Sequence, residues 1–179
     1  LDVLLFGFLP WSVTEVALSS QHGPVLQTDH GTYAVRYAGR GELRQVEQWL
    51  AMNKASNLDE WLSAMRMHAF ASFNFVYADV EGNIAFVHNS MTPERLSGFD
   101  WSQYLPGDRS DLIWTSYLPF EQLPQLVNPP SGWVLSANQS PFAVTSAADN
   151  PDRTQYTPEQ GFPVRMTNRA YRGLELFEE

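Results

Sequence analysis

The segment from Phe73 to His88 restricts the fold more than any other part of the chain. Phe73, Phe75 and Tyr77 alternate with Asn74, Val76 and Ala78, and beyond Glu81-Gly82 the pattern resumes as Ile84, Phe86 and His88 against Ala85 and Val87. A period of two sends successive side chains to opposite faces, and an acidic-glycine turn between two such runs closes a β-hairpin. Asp79 ends the first run, where its carboxylate is better placed to accept backbone N–H groups of the turn than to serve as a general base. A hairpin with aromatic residues on one face needs other elements to cover it. Helical spacing supplies candidates just upstream: Leu43, Val46 and Leu50 form a stripe with Trp49 beside it, ended by Lys54-Ala55-Ser56. Asn57-Leu58-Asp59-Glu60 then has the form of a capping box opening a second helix, whose apolar face is Trp61, Leu62, Met65 and Ala69.

The rest of the chain sorts by the same rules. Alternating runs predict strands over 12–19, 24–27 and 32–36, a meander punctuated by His22-Gly23-Pro24 and Asp29-His30-Gly31. The apolar opening from Leu1 to Pro10 reads as a strand or an entry into the core, being too short to span a bilayer and lacking a signal peptide's basic flank. Residues 91–130 are rich in proline, glycine and aromatics, which predicts an ordered, wrapping loop region. A short apolar strand is expected at Gly132-Trp133-Val134-Leu135, a small polar surface excursion over 144–160, and a last helix from near Thr167 carrying Tyr171, Leu174 and Phe177. The expected class is α+β.

Charge and composition narrow the function. A net charge of −9 with no block of Lys or Arg argues against nucleic acid or an anionic membrane as partner. With 44% hydrophobic residues the chain can bury a core, and a small or neutral ligand suits it better. There is no cysteine, so no disulfide framework or thiol nucleophile, and the four histidines lack zinc-binding spacing. The chain begins at Leu1 rather than Met and stops at Phe177-Glu178-Glu179 within a helical pattern, so a piece of a longer polypeptide is expected.

One position reads as chemistry. Asn138, in Asn138-Gln139-Ser140-Pro141, follows the short apolar run, and Arg169 comes later as a cation able to fix an amide's orientation. A neutral amide donor just past a buried segment is what acyl transfer needs to hold a developing oxyanion, although an Asn before a proline also serves as a plain turn residue. The same triplet fits the N-glycosylation pattern, a modification that would block such a donor.

The run Asn74-Phe75-Val76-Tyr77-Ala78-Asp79-Val80-Glu81-Gly82-Asn83-Ile84 resembles the signature hairpin of the penicillin acylase (penicillin amidase) family of N-terminal-nucleophile amidohydrolases. Gln21-His22-Gly23-Pro24-Val25, Asn53 to Trp61, Pro93-Glu94-Arg95-Leu96-Ser97-Gly98, Leu105-Pro106-Gly107, Trp114, Leu118-Pro119-Phe120-Glu121, Leu123-Pro124, Asn128-Pro129-Pro130-Ser131-Gly132 and Ala137-Asn138 follow in the family's order. The resemblance covers nearly the whole chain. It implies that residues 1–179 form one fragment of the catalytic large (β) subunit, a portion of an αββα layered fold with antiparallel hairpins and flanking helices.

The activity it implies is cleavage of a linear amide in an acylated small molecule, through an acyl-enzyme on an N-terminal serine whose own amine is the base. That serine is not in this chain, so the fragment itself should be inactive, and its partners would be the small subunit and the earlier part of the large subunit. By resemblance Asn138 supplies the side-chain donor of the oxyanion hole and Arg169 is the arginine near the nucleophile, with Arg165 and Arg172 as competitors for that role. Trp49 and Phe73 would line the acyl pocket, the competing role for both being core packing. No cofactor is required for the chemistry. A structural calcium is implied with an incomplete ligand set here, Asp149 through its carboxylate and Trp101 through its backbone carbonyl, although Asp149-Asn150-Pro151-Asp152 also reads as a plain turn. A periplasmic or extracellular, zymogen-derived enzyme is the expected parent. The rival reading is a noncatalytic module gripping a glycan or peptide with Trp101, Trp114 and Tyr117.

Overall fold

The computed structural model describes residues 2–12, 14 and 16–178. Leu1, at the expected start of the fragment, Val13 and Glu15, inside the strand expected over 12–19, and Glu179, in the expected last helix, lie outside the described residues. The chain divides into two compact units, Leu1–Tyr37 with Pro106–Ile113, and Ala38–Leu105 with Trp114–Glu179.

In the first unit, β1 (Asp2–Leu5) pairs antiparallel with β2 (Leu9–Ser12), so the apolar opening is a hairpin and not a core entry. Its turn uses left-handed backbone at Phe6 and Gly7, and Phe6, Phe8 and Trp11 are exposed. Of the strand expected over 12–19, Ser12 closes β2 and, among the described residues, only Leu18–Ser19 (β3) pairs onward. β3, β4 (Pro24–Thr28) and β5 (Gly31–Ala34) form the expected antiparallel meander.

The second unit is built on the hairpin. β6 (Phe73–Ala78) and β7 (Ile84–Asn89) pair in the register that the alternation requires, with Phe75 opposite Val87 and Tyr77 opposite Ala85. Asp79 ties the turn: its carboxylate accepts from the backbone N–H of Glu81 and Asn83, both at 2.9 Å, and from the Tyr77 hydroxyl at 3.0 Å. The loop region over 91–130 returns one strand that alternation did not reveal, β8 (Gln125–Val127), which makes β7 the central strand of an antiparallel sheet ordered β6-β7-β8. Asn128 finishes that edge from left-handed backbone, its Oδ1 accepting from Ile84 N at 2.8 Å. β7 is therefore buried on both faces, unlike β6, in which Phe75 alone is buried.

Two helices flank the sheet, α1 (Gln45–Lys54) and α2 (Leu58–Met65). The expected cap of α2 forms in half: Asn57 Oδ1 accepts from Glu60 N at 2.9 Å, but Glu60 reaches past the cap residue and accepts from Ser56 N at 2.8 Å, so the capping box is not closed. Trp61 and Met65 of α2 enter the core with Phe75, Ala85, Val87, Leu118, Phe120, Leu123 and Phe162. α1 departs from its pattern. Leu43 is 87% and Val46 80% exposed, while Gln48 is fully buried and accepts from Ala69 N at 2.7 Å.

The expected strand at 132–135 does not form a ladder: its links to the segment at 144–145 are Leu135 N to Val144 O and Thr145 Oγ1 to Trp133 O, both 2.7 Å. The excursion over 144–160 is not a free surface loop either. It folds as three 3₁₀ turns and is pinned by buried Val144, by Asn150 accepting from the Val144 and Thr145 amides, and by Tyr156 set against Phe142 and Phe162. α3 (Asn168–Glu178) starts where expected, with Thr167 Oγ1 accepting from Ala170 N at 3.2 Å, and Phe177 stacks on Trp133 at 4.8 Å. Among the described residues no helix is long and apolar enough to cross a membrane.

Candidate active site

Asn138 sits in left-handed backbone, φ +60°, which an L-residue adopts at a cost that Asn and Gly bear most easily. Its conformation is imposed by the next residue. Gln139 is fully buried; its side-chain oxygen accepts from Ala137 N, and its amide nitrogen donates to the Leu135 and Ala143 carbonyls, both at 3.0 Å. Those bonds hold the loop closed from inside, so Asn138 is turned outward and exposed.

Arg169, on the first turn of α3, reaches back across 31 residues. Its Nη2 donates to Asn138 Oδ1 at 2.9 Å and to Ala137 O at 3.0 Å. A guanidinium only donates, so the amide oxygen must face it. The Nδ2 group then points the other way, with no hydrogen-bond partner among the described residues. Of the competing arginines, Arg172 pairs with Glu175 at 3.0 Å, and Arg165 meets this loop through its backbone, its carbonyl accepting from Ser140 N.

Asn138 and Gln139 form one wall of a depression of about 230 Å³, whose other lining residues are Ser72, Phe73, Asn74, His88 and Pro163. Phe73 is thus brought beside Asn138. Trp49 stands one step behind, its ring edge-on to Phe73 at 6.4 Å and also against Phe70 and Phe75, so it shapes the aromatic wall without lining the depression itself. Asn74 joins the hairpin to the loop: its Nδ2 donates to Gln139 O at 3.1 Å, and its Oδ1 lies 2.6 Å from His88 Nδ1.

A model of the penicillin amidase family matches residues 10–177. The chain belongs to the penicillin amidase family. It is 39% identical over 132 residues to penicillin G acylase of Escherichia coli, an alignment covering 72% of this chain and 15% of that protein. It is 29% identical over 139 residues to the penicillin acylase 2 proenzyme of Pseudomonas sp. (strain SE83), covering 75% of this chain and 17% of that protein. The fold is similar to that of a thermostable penicillin G acylase from Alcaligenes faecalis, with a TM-score of 0.61 at 23% identity over 96% of this chain and 32% of that one. An α+β arrangement with antiparallel sheets is common to both. This penicillin amidase family chain spans about a sixth of the curated relatives' length, 15% and 17% of the two.

The residues expected to hold calcium fall in separate networks of the chain. The Asp149 carboxylate accepts from Ser131 N at 2.7 Å and Ser146 Oγ at 3.4 Å, which makes it a turn-forming group. Trp101 donates its ring N–H to Leu96 O at 2.9 Å and packs edge-on to Trp114 at 5.8 Å, with the Arg95 guanidinium over both rings. Calcium takes six to eight oxygens, and the described residues hold no cluster of three or more His, Asp or Glu side chains able to bind a metal. These residues do not by themselves fit the ion. The same contacts break up the aromatic platform of the rival reading, since Trp114 is only 9% exposed and Arg95 covers its face.

Sequence reasoning set His88 aside and left Asn74 and Gln139 without a role. A signal for two of them was present. In a hairpin whose turn is centred on Glu81, Asn74 and His88 fall opposite each other, and the register pairs them. Gln139 carried no signal, because its importance comes from burial that only the folded loop creates.

Proposed function

We propose that this chain is the later part of the catalytic large subunit of a penicillin acylase-like amidohydrolase, and that Asn138 Nδ2 is an oxyanion-hole donor. The parent enzyme cleaves a linear amide of an acylated small molecule. A serine at the subunit's N-terminus, outside these 179 residues, attacks the amide carbon while its own α-amine takes the hydroxyl proton. The carbonyl oxygen becomes an alkoxide, held by Asn138 Nδ2 together with a backbone amide from another part of the subunit. Collapse expels the amine with a proton, and water then releases the acid.

The single observation that carries this reading is the Arg169 contact. It fixes the amide with its oxygen inward and its nitrogen free at a depression walled by Phe73. A preoriented neutral donor costs no reorganisation when charge develops, which is the condition for differential stabilisation of the transition state. Phe73, backed by Trp49, suits an aromatic or aliphatic acyl group. The attacking serine and the small subunit come from the same precursor, in keeping with a relative named as a proenzyme. A periplasmic or extracellular location belongs to the same reading, as does a structural calcium whose remaining oxygens come from outside this chain.

Two substitutions in the full-length processed enzyme test it. Asn138→Asp tolerates left-handed backbone and retains a partner for Arg169, but replaces the donor with a carboxylate. Turnover of a phenylacetyl or fatty-acyl amide is expected to fall about a hundredfold or more in kcat for Asn138→Asp and for Asn138→Ala. An unchanged kcat in either variant removes Asn138 from the chemistry.

A further inference from the structure

His88 has no part in the acyl transfer proposed for Asn138, yet it lines the same depression. Its side chain is 3% exposed, and its ring packs edge-on against Phe162 at 5.6 Å. The hydrogen bonds around it settle which nitrogen carries the proton. Asn74 spends its Nδ2 donor on Gln139 O at 3.1 Å, so the atom facing His88 at 2.6 Å is Oδ1, an acceptor. His88 Nδ1 must therefore be the donor. Burial pushes the imidazole down to about 4, so above that pH the ring is neutral and Nε2 keeps its lone pair. Nε2 has no hydrogen-bond partner among the described residues. An acceptor on a residue that lines the depression is available to a ligand that brings a donor into it.

We propose that His88 Nε2 is a hydrogen-bond-accepting subsite of the depression, taking a neutral hydroxyl or amide N–H carried by the acyl portion of the substrate. The proposal deepens the acyl-transfer reading and rests on it for the placement of the carbonyl at Asn138. A depression of about 230 Å³ has room for a small acyl group, and a donor on the carbon adjacent to the carbonyl is the smallest acyl portion that presents both groups. Asn74 is then a positioning residue, acting through His88 by fixing its tautomer, while Phe73 supplies the apolar side of the pocket.

Two measurements on the full-length protein test it. In the first, the 4-nitroanilides of phenylacetic acid and 2-hydroxy-2-phenylacetic acid, with the hydroxyl on the carbon beside the carbonyl, are compared in wild type and His88→Phe. The ratio of kcat/KM for the hydroxylated over the plain substrate is expected to fall about tenfold in the variant. An unchanged ratio overturns the proposal. In the second, histidine ¹⁵N NMR of the unsubstituted protein does not depend on the variant's folding. The free protein is expected to show the proton on Nδ1, and the Nε2 resonance to move on addition of 2-hydroxy-2-phenylacetamide but not phenylacetamide. A proton on Nε2, or an Nε2 unmoved by the hydroxylated amide because it binds only water, overturns it. Movement of Nε2 without hydrolysis of either anilide supports the subsite and overturns the amidase reading instead.

Discussion

At the scale of single residues, function and strain coincide. Asn138 occupies left-handed backbone and gives up its oxygen to Arg169, and neither feature stabilises a turn better than a glycine would. Arg169→Leu removes the contact without touching Asn138. In the full-length enzyme it is expected to lower kcat roughly tenfold or more with little change in KM, since orientation matters most once charge develops. Steady-state kinetics check this, and an unaltered kcat would mean that Asn138 keeps its aim unaided. His88 makes a separate, pH-dependent prediction. Its folded value is near 4 and its ordinary value 6.5, so between them the unfolded chain binds a proton that the folded chain does not. Stability from this group is complete above about pH 6.5 and declines as the pH falls from there through 4, by an amount on the order of 3 kcal/mol. Thermal melts of wild type and His88→Gln from pH 7 to pH 4 should show a shallower decline in the variant.

At the scale of elements, local pattern was legible where it was also the packing pattern. The Phe73–Ala78 and Ile84–Asn89 hairpin, the Asn57 side-chain cap and the start of α3 all follow from spacing and capping chemistry carried by the residues themselves. β8 was not legible, because three residues are too few to show a period and its partner is distant in sequence. α1 shows the opposite failure. Its helical period is present, but the side it buries within this unit is the one carrying Gln48, which satisfies the Ala69 amide. Val46, Trp49 and Leu50 instead line a shallow apolar groove with Phe70. Replacing Val46 and Leu50 with Glu and Gln should raise the solubility of this 179-residue chain while leaving its melting temperature nearly unchanged. Gln48→Leu strands that amide but also removes the buried, unpartnered Gln48 Nε2, so its net cost should be about 1 kcal/mol. Solubility assays and thermal melts read out both, and an equal loss of stability in the two cases would refute the distinction.

At the scale of the molecule, the two units differ in how their side chains are covered. β7 and the α2 residues Trp61 and Met65 lie in a dense aromatic and aliphatic core, whereas Phe6, Phe8 and Trp11 of the β1–β2 hairpin are open to solvent. Hydrogen exchange should accordingly be slowest at the β7 amides and fastest across residues 2–12, as followed by mass spectrometry of the 179-residue chain. Comparable protection in both regions would contradict this picture. The family blocks spread along the chain made the fold class legible at this scale, but not the division into units, which depends on contacts between segments far apart in sequence.

The clasp between Asn138 and Arg169 has an implication for variation in length. Because both ends of the intervening segment are fastened to each other, and the segment is stapled in its middle by Asn150 and Tyr156, residues can be gained or lost at its outer bends without moving the amide. Doubling a flexible loop costs only about 0.6 kcal/mol in closure entropy. The donor's aim is thus insulated from insertions, and this stretch is where an engineer can graft new sequence beside the depression while keeping its chemistry in tune.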